Sequence, residues 1–194
     1  MTSAVILAAG KSSRLGFPKQ TLLFKGKTFL EIAIDAALRA NCDPVLVVLG
    51  ANKEAIEPGI KDKGIIILHN ENWSEGMGTS IKAGIGHLEK VRKVKQVMIM
   101  LCDQPFVNRA LLNSLILKQQ QSGSKIAACS YKDTIGVPAL FDYSLFPELL
   151  SLEDNEGAKK IIKAHAEHIV TVPFEKAGVD IDTLADYEYL LNQI

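Results

Sequence analysis

The residues best suited to bind a charged ligand lie in one loop near the start of the chain. An apolar run ends in Ala8-Ala9-Gly10, and the chain continues as Lys11-Ser12-Ser13-Arg14-Leu15-Gly16-Phe17-Pro18-Lys19. Such a loop can direct backbone N–H groups and fixed positive charges at one polyphosphate. We therefore predict a phosphate-binding loop, in which Arg14 bridges phosphate oxygens and Lys19 supplies a point charge.

The spacing within this loop excludes two common phosphate-binding motifs. A Walker loop requires Lys and then Ser or Thr directly after its second glycine, whereas Gly16 is followed by Phe17. The dinucleotide-binding fingerprint requires three closely spaced glycines, and this loop offers only Gly10 and Gly16. The loop is therefore predicted to serve a different kind of nucleotide chemistry.

Asp103 is a candidate for holding a cation beside bound phosphates. It directly follows the apolar run 97–102 and precedes Gln104-Pro105. Because a carboxylate beside a triphosphate is repelled unless a cation intervenes, we predict that Asp103 is a Mg²⁺ ligand. The alternative is that Asp103 belongs to the turn before a helix that begins near Asn108.

A second pair of aspartates lies near the end of the chain. Asp180 and Asp182 alternate around Ile181, so in an extended segment only one of them faces the site. We predict Asp182 as the second metal ligand and leave Asp180 as the alternative. Asp182 also directly precedes Thr183, where it could cap the closing helix.

Glycines and hydroxyls also open a predicted helix in the middle of the chain. Gly76-Met77-Gly78 precedes Thr79-Ser80, and a helix N-terminus there offers free N–H groups and a partial positive charge. The glycines would permit the close approach of a base or ribose. The alternative is a capped helix after a flexible loop, in which Trp73 only packs.

Apolar runs of strand length alternate with amphipathic stretches, which predicts an α/β fold. Runs without polar alternation indicate a mostly parallel sheet with helices on both faces, a three-layer, Rossmann-like arrangement. The predicted strands are 4–7, 45–49, 65–68, 97–101, 126–129, 137–141 and 169–172. The predicted helices are 28–40, 79–90, 108–121, 145–150, 157–165 and 183–192, with Thr28, Asn108 and Thr183 as N-caps. The loops after Leu7, Leu68 and Leu101 are expected on one rim, and we predict a single domain over residues 1–194.

Composition argues against several classes of protein, namely nucleic-acid binders, disulfide-rich or zinc proteins, and secreted or membrane proteins. Lys and Arg total 22, as do Asp and Glu, and this balance argues against a general nucleic-acid binder. The three cysteines, Cys42, Cys102 and Cys129, lie far apart and predict buried thiols rather than disulfides or a zinc site. No signal-peptide pattern is apparent, and no apolar stretch reaches the roughly 18 to 20 residues that span a bilayer. We therefore expect a cytoplasmic protein without a nucleic-acid or membrane partner.

Five segments, spread over nearly the whole chain, carry a family resemblance. They read LAAGKSSRLGFPK (7–19), NENWSEGMGTSIKAGI (70–85), MLCDQP (100–105), GVPALF (136–141) and DIDTLADY (180–187). Together they resemble the molybdenum cofactor cytidylyltransferase (MocA-like) branch of the nucleotidyltransferases. The Ala8-Ala9-Gly10 start resembles the cytidylyl-transferring members, whereas guanylyl-transferring relatives usually have Ala-Gly-Gly.

The resemblance implies a reaction and its partners. The nucleotide would be CTP, the acceptor the phosphate of molybdopterin-bound molybdenum, and the leaving group pyrophosphate. A recipient molybdoenzyme or its chaperone is a further partner that the resemblance implies.

The residues and the resemblance together give a hypothesis for the site. Lys19, Arg14 and Asp103 would be catalytic, and Asp103 and Asp182 would hold Mg²⁺. The nucleotide would be bound by the first loop and by the start of the middle helix, that is by Leu7, Ala8, Ala9, Gly10, Lys11, Ser12, Ser13, Gly76, Met77 and Ser80.

Two segments depart from the family pattern. Val137 stands where members often carry His between Gly and Pro, and Glu153-Asp154-Asn155 replaces the start of a family Gly-Asp-x-Gly-Ala segment. Both segments are expected in the part of the fold that holds the acceptor. A sugar phosphate or another small phosphorylated acceptor therefore stays open as an alternative. A different class of function is a nucleotide-binding module that delivers a cofactor without turnover.

Overall fold

The computed structural model of the protein describes residues 1–192. Its strands are β1 (Thr2–Ala8), β2 (Leu23–Phe24), β3 (Lys27–Thr28), β4 (Val45–Leu49), β5 (Ile66–His69), β6 (Gln96–Leu101), β7 (Ile126–Tyr131), β8 (Thr134–Asp142) and β9 (Ile169–Pro173). Its α-helices are α1 (Phe29–Arg39), α2 (Lys53–Ile56), α3 (Met77–Leu88), α4 (Arg109–Ser122), α5 (Phe146–Leu150), α6 (Lys159–Ala164) and α7 (Leu184–Leu191). None of the helices described here has the length and apolar character needed to cross a membrane.

Seven strands form one sheet in the order β5-β4-β1-β6-β8-β7-β9. Strand β8 is antiparallel to both of its neighbours, and the other pairs in the sheet are parallel. Strand β1 lies in the middle, with Ala4 level with Val45 of β4 and with Met98 of β6. The loops after β1, β5 and β6 therefore leave the sheet at the same rim, which confirms the predicted placement of these three loops.

Helices cover both faces of this sheet, as the apolar runs predict. Side chains alternate along β1, so that Ile6 joins a core with α1 and α4 while Val5 joins another with α3, α5 and α6. Both residues are fully buried. The protein is thus a three-layer α/β fold with a mostly parallel sheet.

The predicted helix starts are confirmed at three caps. The Thr28 hydroxyl accepts from the Glu31 N–H at 3.1 Å, and the Glu31 carboxylate accepts from the Thr28 N–H at 2.8 Å, which completes the capping box. The Asn108 side chain caps α4, and Thr183 caps α7 with a second capping box. Helix α3 differs from the prediction because it begins at Met77, two residues early, with Gly76 as its N-cap.

A third, smaller core holds the end of the chain against the first loop. Strands β2 and β3 form a short hairpin that the sequence analysis does not predict. Phe24 from this hairpin packs with Leu15, Phe29, Ile181 and Leu190. The Tyr187 hydroxyl also donates to the Leu23 carbonyl at 2.8 Å. These contacts place the 180–183 segment beside the loop that follows β1.

The three cysteines are free and buried, as predicted. Burial raises the pKa of Cys42, Cys102 and Cys129 to about 12, so the reactive thiolate is scarce near neutrality. We expect no thiol of the folded protein to react with Ellman's reagent at pH 8, and all three to react in denaturant. Rapid reaction of any thiol before unfolding would contradict this burial.

Candidate active site

The loop after β1 presents a row of free backbone donors. Ser12 adopts a left-handed conformation with φ +56°, and its Oγ accepts from the Lys19 N–H at 3.0 Å. Within residues 1–192, the N–H groups of residues 9–14 donate to no other backbone group. Unpaired N–H groups that converge in one loop form a concave anion site. The predicted phosphate-binding loop therefore has the backbone donors it needs.

Gln20 holds this loop from below, a role that the sequence analysis does not predict. Its side chain is 1% exposed, and its amide nitrogen donates to the carbonyls of Ala8 at 2.7 Å and Gly10 at 3.0 Å. Because a trans peptide directs its N–H opposite to its C=O, the N–H groups of Ala9 and Lys11 point away from Gln20. Gln20 thus fixes the direction of the free donors. No sequence motif marks it, apart from its place beside Lys19.

Four predicted site residues from distant segments meet in one charge network. The Lys19 ammonium forms an ion pair with Oδ2 of Asp103 and lies 3.2 Å from Oδ1 of Asp182. Arg14 Nη2 lies 2.9 Å from the other oxygen of Asp182. Burial acts to lower the pKa of Lys19, but the charge and hydrogen bond of Asp103, together with smaller contributions that include Asp182, offset it, and the net pKa is raised. Lys19 therefore stays charged.

Asp103 retains one oxygen that the protein does not use. The residue is 7% exposed, and its Oδ1 is buried without a hydrogen-bond partner in the described chain. An unsatisfied buried carboxylate oxygen is costly, and a cation would satisfy it. Asp103 and Asp182 contact the same ammonium group, so their carboxylates lie near one another. The pair fits a Mg²⁺ site.

This pair alone does not form a closed metal cage. Among residues 1–192, no group of three or more His, Cys, Asp and Glu side chains is arranged to hold a metal. Mg²⁺ is commonly bound by one or two carboxylates, with waters and substrate phosphates as its other ligands. The arrangement therefore suits a metal that binds together with a nucleotide.

Asp180 lies closer to the site than its sequence position predicts. Its Oδ1 accepts from Gln104 Nε2 at 3.4 Å. Asp180 is exposed overall, but the protein atoms around its carboxyl group, and then the charge of Asp103, raise its pKa. Residues 179–182 form no strand, so the alternation of a strand does not decide between the two aspartates. Asp182, by contrast, contacts both Lys19 and Arg14.

A pocket of about 260 Å³ lies at the rim beside this network. Eight predicted residues line it: Leu7, Ala9, Gly10, Lys19, Gly76, Met77, Ser80 and Asp103. Four further residues complete the lining: Gln20, Trp73, Leu101 and Cys102. Six predicted residues do not line it: Ala8, which is buried in β1, and Lys11, Ser12, Ser13, Arg14 and Asp182. The pocket therefore joins the first loop to the start of α3.

The glycines at the start of α3 are approached by the chain itself. A Cβ on Gly76 would lie 2.3 Å from the Asp154 carbonyl oxygen, and one on Gly78 would lie 2.1 Å from that of Glu153. The Gly78 N–H donates to the Asp154 carbonyl at 2.8 Å, and Lys82 forms an ion pair with Asp154. The 153–155 segment thus packs against the start of α3, which the sequence analysis assigns to the nucleotide. The sequence analysis instead expects this segment in the part of the fold that holds the acceptor.

Substitution of Gly78 tests this packing, and α3 supplies a matched control. We expect Gly78→Ala to displace the 153–155 segment and to lower the free energy of unfolding by about 2 kcal/mol, within the range for overpacking. A Cβ on Gly86, in the same helix, would meet no atom within 4 Å. Gly86→Ala should be neutral or stabilising by up to about 1 kcal/mol. Urea unfolding of both variants measures the difference, and equal effects would contradict the close approach.

The segment with Val137 lies beside the charge network. Gln104 directly follows Asp103, and its Nε2 donates to the carbonyls of Ala177 at 2.8 Å and Val137 at 3.2 Å. The Tyr131 hydroxyl lies 3.4 Å from the same Val137 carbonyl. The departure from the family pattern at Val137 is therefore linked by a hydrogen bond to Gln104, the residue next to Asp103.

Comparison with known proteins gives a family match and relatives that align over nearly the whole chain. The family described as MobA-like NTP transferase domain matches residues 4–169. Nicotine blue oxidoreductase from Paenarthrobacter nicotinovorans is 29% identical, with 97% of this chain and 96% of the relative covered. Purine catabolism protein PucB from Bacillus subtilis is 28% identical, with 95% of this chain and 93% of the relative covered. A crystal structure of Rv0371C in complex with manganese, from Mycobacterium tuberculosis, superposes with a TM-score of 0.81 at 26% identity, covering 100% and 99% of the two chains.

Proposed function

Because this chain belongs to the MobA-like NTP transferase family, we propose that it transfers a nucleoside monophosphate from an NTP to a phosphorylated acceptor. The observation that carries the proposal is the Lys19 ammonium, shared by Asp103 and Asp182 beside a row of free N–H groups. This arrangement brings together a positive charge that can bind phosphates and two carboxylates that can bind a metal.

The reaction would be an in-line attack on the α-phosphorus. An oxygen of the acceptor phosphate forms a bond to that phosphorus, the bond to the bridging oxygen breaks, and its electron pair leaves with pyrophosphate. Such a transfer needs positioning and charge stabilisation more than covalent catalysis. The free N–H groups and Arg14 would hold the β- and γ-phosphates. Lys19 would stabilise the charge that develops at the α-phosphate.

Asp103 and Asp182 would hold Mg²⁺ at this site. When bound, the ion neutralises phosphate charge and orients the leaving group. The unsatisfied Oδ1 of Asp103 supports this assignment. The manganese complex of Rv0371C is consistent with a divalent cation in a similar fold.

The finer proposal concerns the two substrates. The Ala8-Ala9-Gly10 start of the loop favours CTP by resemblance, and the same resemblance favours the molybdenum cofactor as acceptor. The Val137 segment lies beside Asp103, so a change there bears directly on the acceptor. A sugar phosphate or another small phosphorylated acceptor is the second candidate for that reason.

The name of one relative raises a different class of reaction. Nicotine blue oxidoreductase covers almost the whole chain, and its name describes a redox enzyme. The paired Lys19 and Asp103 favour phosphoryl chemistry here, because hydride transfer needs no such cluster. A binding module without turnover is likewise disfavoured.

A pyrophosphate-release assay tests the proposal. The purified protein is incubated with Mg²⁺ and CTP, GTP or ATP, and with molybdenum cofactor, a sugar phosphate or no acceptor. Release with CTP that depends on the cofactor supports the finer proposal, and release with a sugar phosphate instead supports the second candidate. Absence of release under all conditions, together with oxidation of NADH or NADPH in a parallel assay, would refute the transfer.

A further inference from the structure

We infer that Asn70 is a positioning residue that fixes the Ser80 hydroxyl as a hydrogen-bond donor toward the base of the nucleotide. The inference rests on the proposed function, because it takes the pocket beside Ser80 as the nucleotide site. Its basis is a set of hydrogen bonds around Asn70 whose donors and acceptors admit one assignment.

Asn72 and Thr79 fix which side of the Asn70 amide carries the oxygen. The Asn72 backbone N–H, which can only donate, lies 3.0 Å from Oδ1 of Asn70. The Thr79 hydroxyl lies 3.0 Å from the Asn72 carbonyl and 2.7 Å from the Gly76 carbonyl, groups that can only accept. Thr79 therefore uses its hydrogen on a carbonyl, and its oxygen accepts from Nδ2 of Asn70 at 2.8 Å.

The same amide nitrogen reaches Ser80. Nδ2 of Asn70 lies 2.9 Å from Ser80 Oγ, and because an amide nitrogen only donates, the serine oxygen accepts. A helical serine commonly donates to the carbonyl four residues earlier, but within residues 1–192 the Ser80 hydroxyl donates to no group. Ser80 lines the pocket and is 3% exposed. A buried donor without an acceptor is costly, so a ligand that accepts its hydrogen gains affinity.

This fixed polarity selects the chemical group that faces Ser80. A ring nitrogen or a carbonyl oxygen of a base can accept the hydrogen, whereas an exocyclic amine cannot. Bases differ in the pattern of donors and acceptors along their edges. Ser80 would therefore contribute about tenfold to the preference for one nucleotide, the size of one hydrogen bond.

The experiment compares kcat/KM for pyrophosphate release with CTP, UTP, GTP and ATP. Asn70→Asp keeps the oxygen that accepts from the Asn72 N–H, but it replaces the amide N–H donors with a second carboxylate oxygen. The Ser80 hydroxyl would then donate to this carboxylate and not to the base. Ser80→Ala removes the donor itself. We expect both variants to lower the ratio between the preferred nucleotide and the next by about tenfold. Thr79→Ser keeps the network hydroxyl, and its ratio should match the wild type.

Equal losses with all four nucleotides would overturn the inference, because that is the effect of general disorder in the pocket. If the Asn70→Asp protein does not fold, Ser80→Ala decides alone: a lowered ratio supports the inference, and an unchanged ratio overturns it. Wild-type protein that releases no pyrophosphate refutes the proposed function separately. In that case nucleotide binding is measured instead, by the fluorescence of Trp73. Trp73 is the single tryptophan and lines the pocket, so the affinities for the four nucleotides give the same preference. Absence of nucleotide binding would overturn both.

Discussion

Lys19→Ala is expected to lower the rate of pyrophosphate release by about 10²- to 10³-fold, the loss typical when one preorganised donor to a developing charge is removed. The physical reason is the position of the ammonium. Lys19 lies at the pocket, ion-paired with Asp103 and 3.2 Å from Asp182. Within residues 1–192, no other lysine or arginine lines this pocket. The measurement is single-turnover pyrophosphate release at saturating NTP.

The control must separate lost chemistry from lost structure. Removing one partner of a largely buried ion pair destabilises a protein by about 3–5 kcal/mol, so the variants are compared at a temperature where circular dichroism shows both to be folded. Lys25→Ala is the matched variant. Lys25 lies in the nearby β2–β3 turn, where its ammonium contacts the Phe24 ring, and it does not line the pocket. Similar losses for the two lysines, or near-normal release by Lys19→Ala, would contradict the assignment.

The central sheet could be predicted because its signals are local. The run Val45–Leu49 is entirely apolar and forms a fully buried strand. Thr28 and Thr183 mark the starts of α1 and α7, because each hydroxyl accepts from the backbone N–H three residues later. The rim of the sheet then follows from topology alone, because parallel strands end on the same side. Lys19 and Asp103 could be placed together on that basis.

The parts that could not be predicted depend on contacts between distant residues. The β2–β3 hairpin has two-residue strands, and its packing depends on α7. In the sequence, Gln20 is an ordinary polar residue. Its hydrogen bonds to the loop after β1 form only when the fold buries it beside that loop. The glycines Gly76 and Gly78 permit a close approach, but their sequence cannot tell whether a ligand or the 153–155 backbone makes it.

The cations and carboxylates of the charge network are paired with one another. Arg14 is paired with Asp182, and Lys19 with Asp103. A triphosphate that binds with Mg²⁺ would offer each group a stronger partner, because phosphates attract the cations and the ion attracts the carboxylates. Binding of nucleotide and metal should therefore be mutually dependent, since either one alone would leave charges of one sign unpaired.

Asp103→Asn is expected to lower Mg²⁺-dependent turnover by about a thousandfold and to raise the Mg²⁺ concentration needed for half-maximal rate, because a catalytic metal contributes several kcal/mol. The substitution keeps the shape of the side chain and removes the charge. Oδ1 of Asp103 is buried without a partner, so the neutral amide would lose the ligand without opening a cavity. The measurement is pyrophosphate release as a function of Mg²⁺ and of Mn²⁺ concentration.

Asp35→Asn is the matched control for this change. Asp35 is also a carboxylate paired with a lysine, Lys27, but it lies on α1 and does not line the pocket. Its variant should keep the wild-type rate and metal dependence. If Asp103→Asn also retained the wild-type dependence on Mg²⁺, Asp103 would not be a metal ligand, and its unsatisfied oxygen would need another partner. If the rate fell while the metal dependence stayed the same, the role of Asp103 would be to hold Lys19 in place.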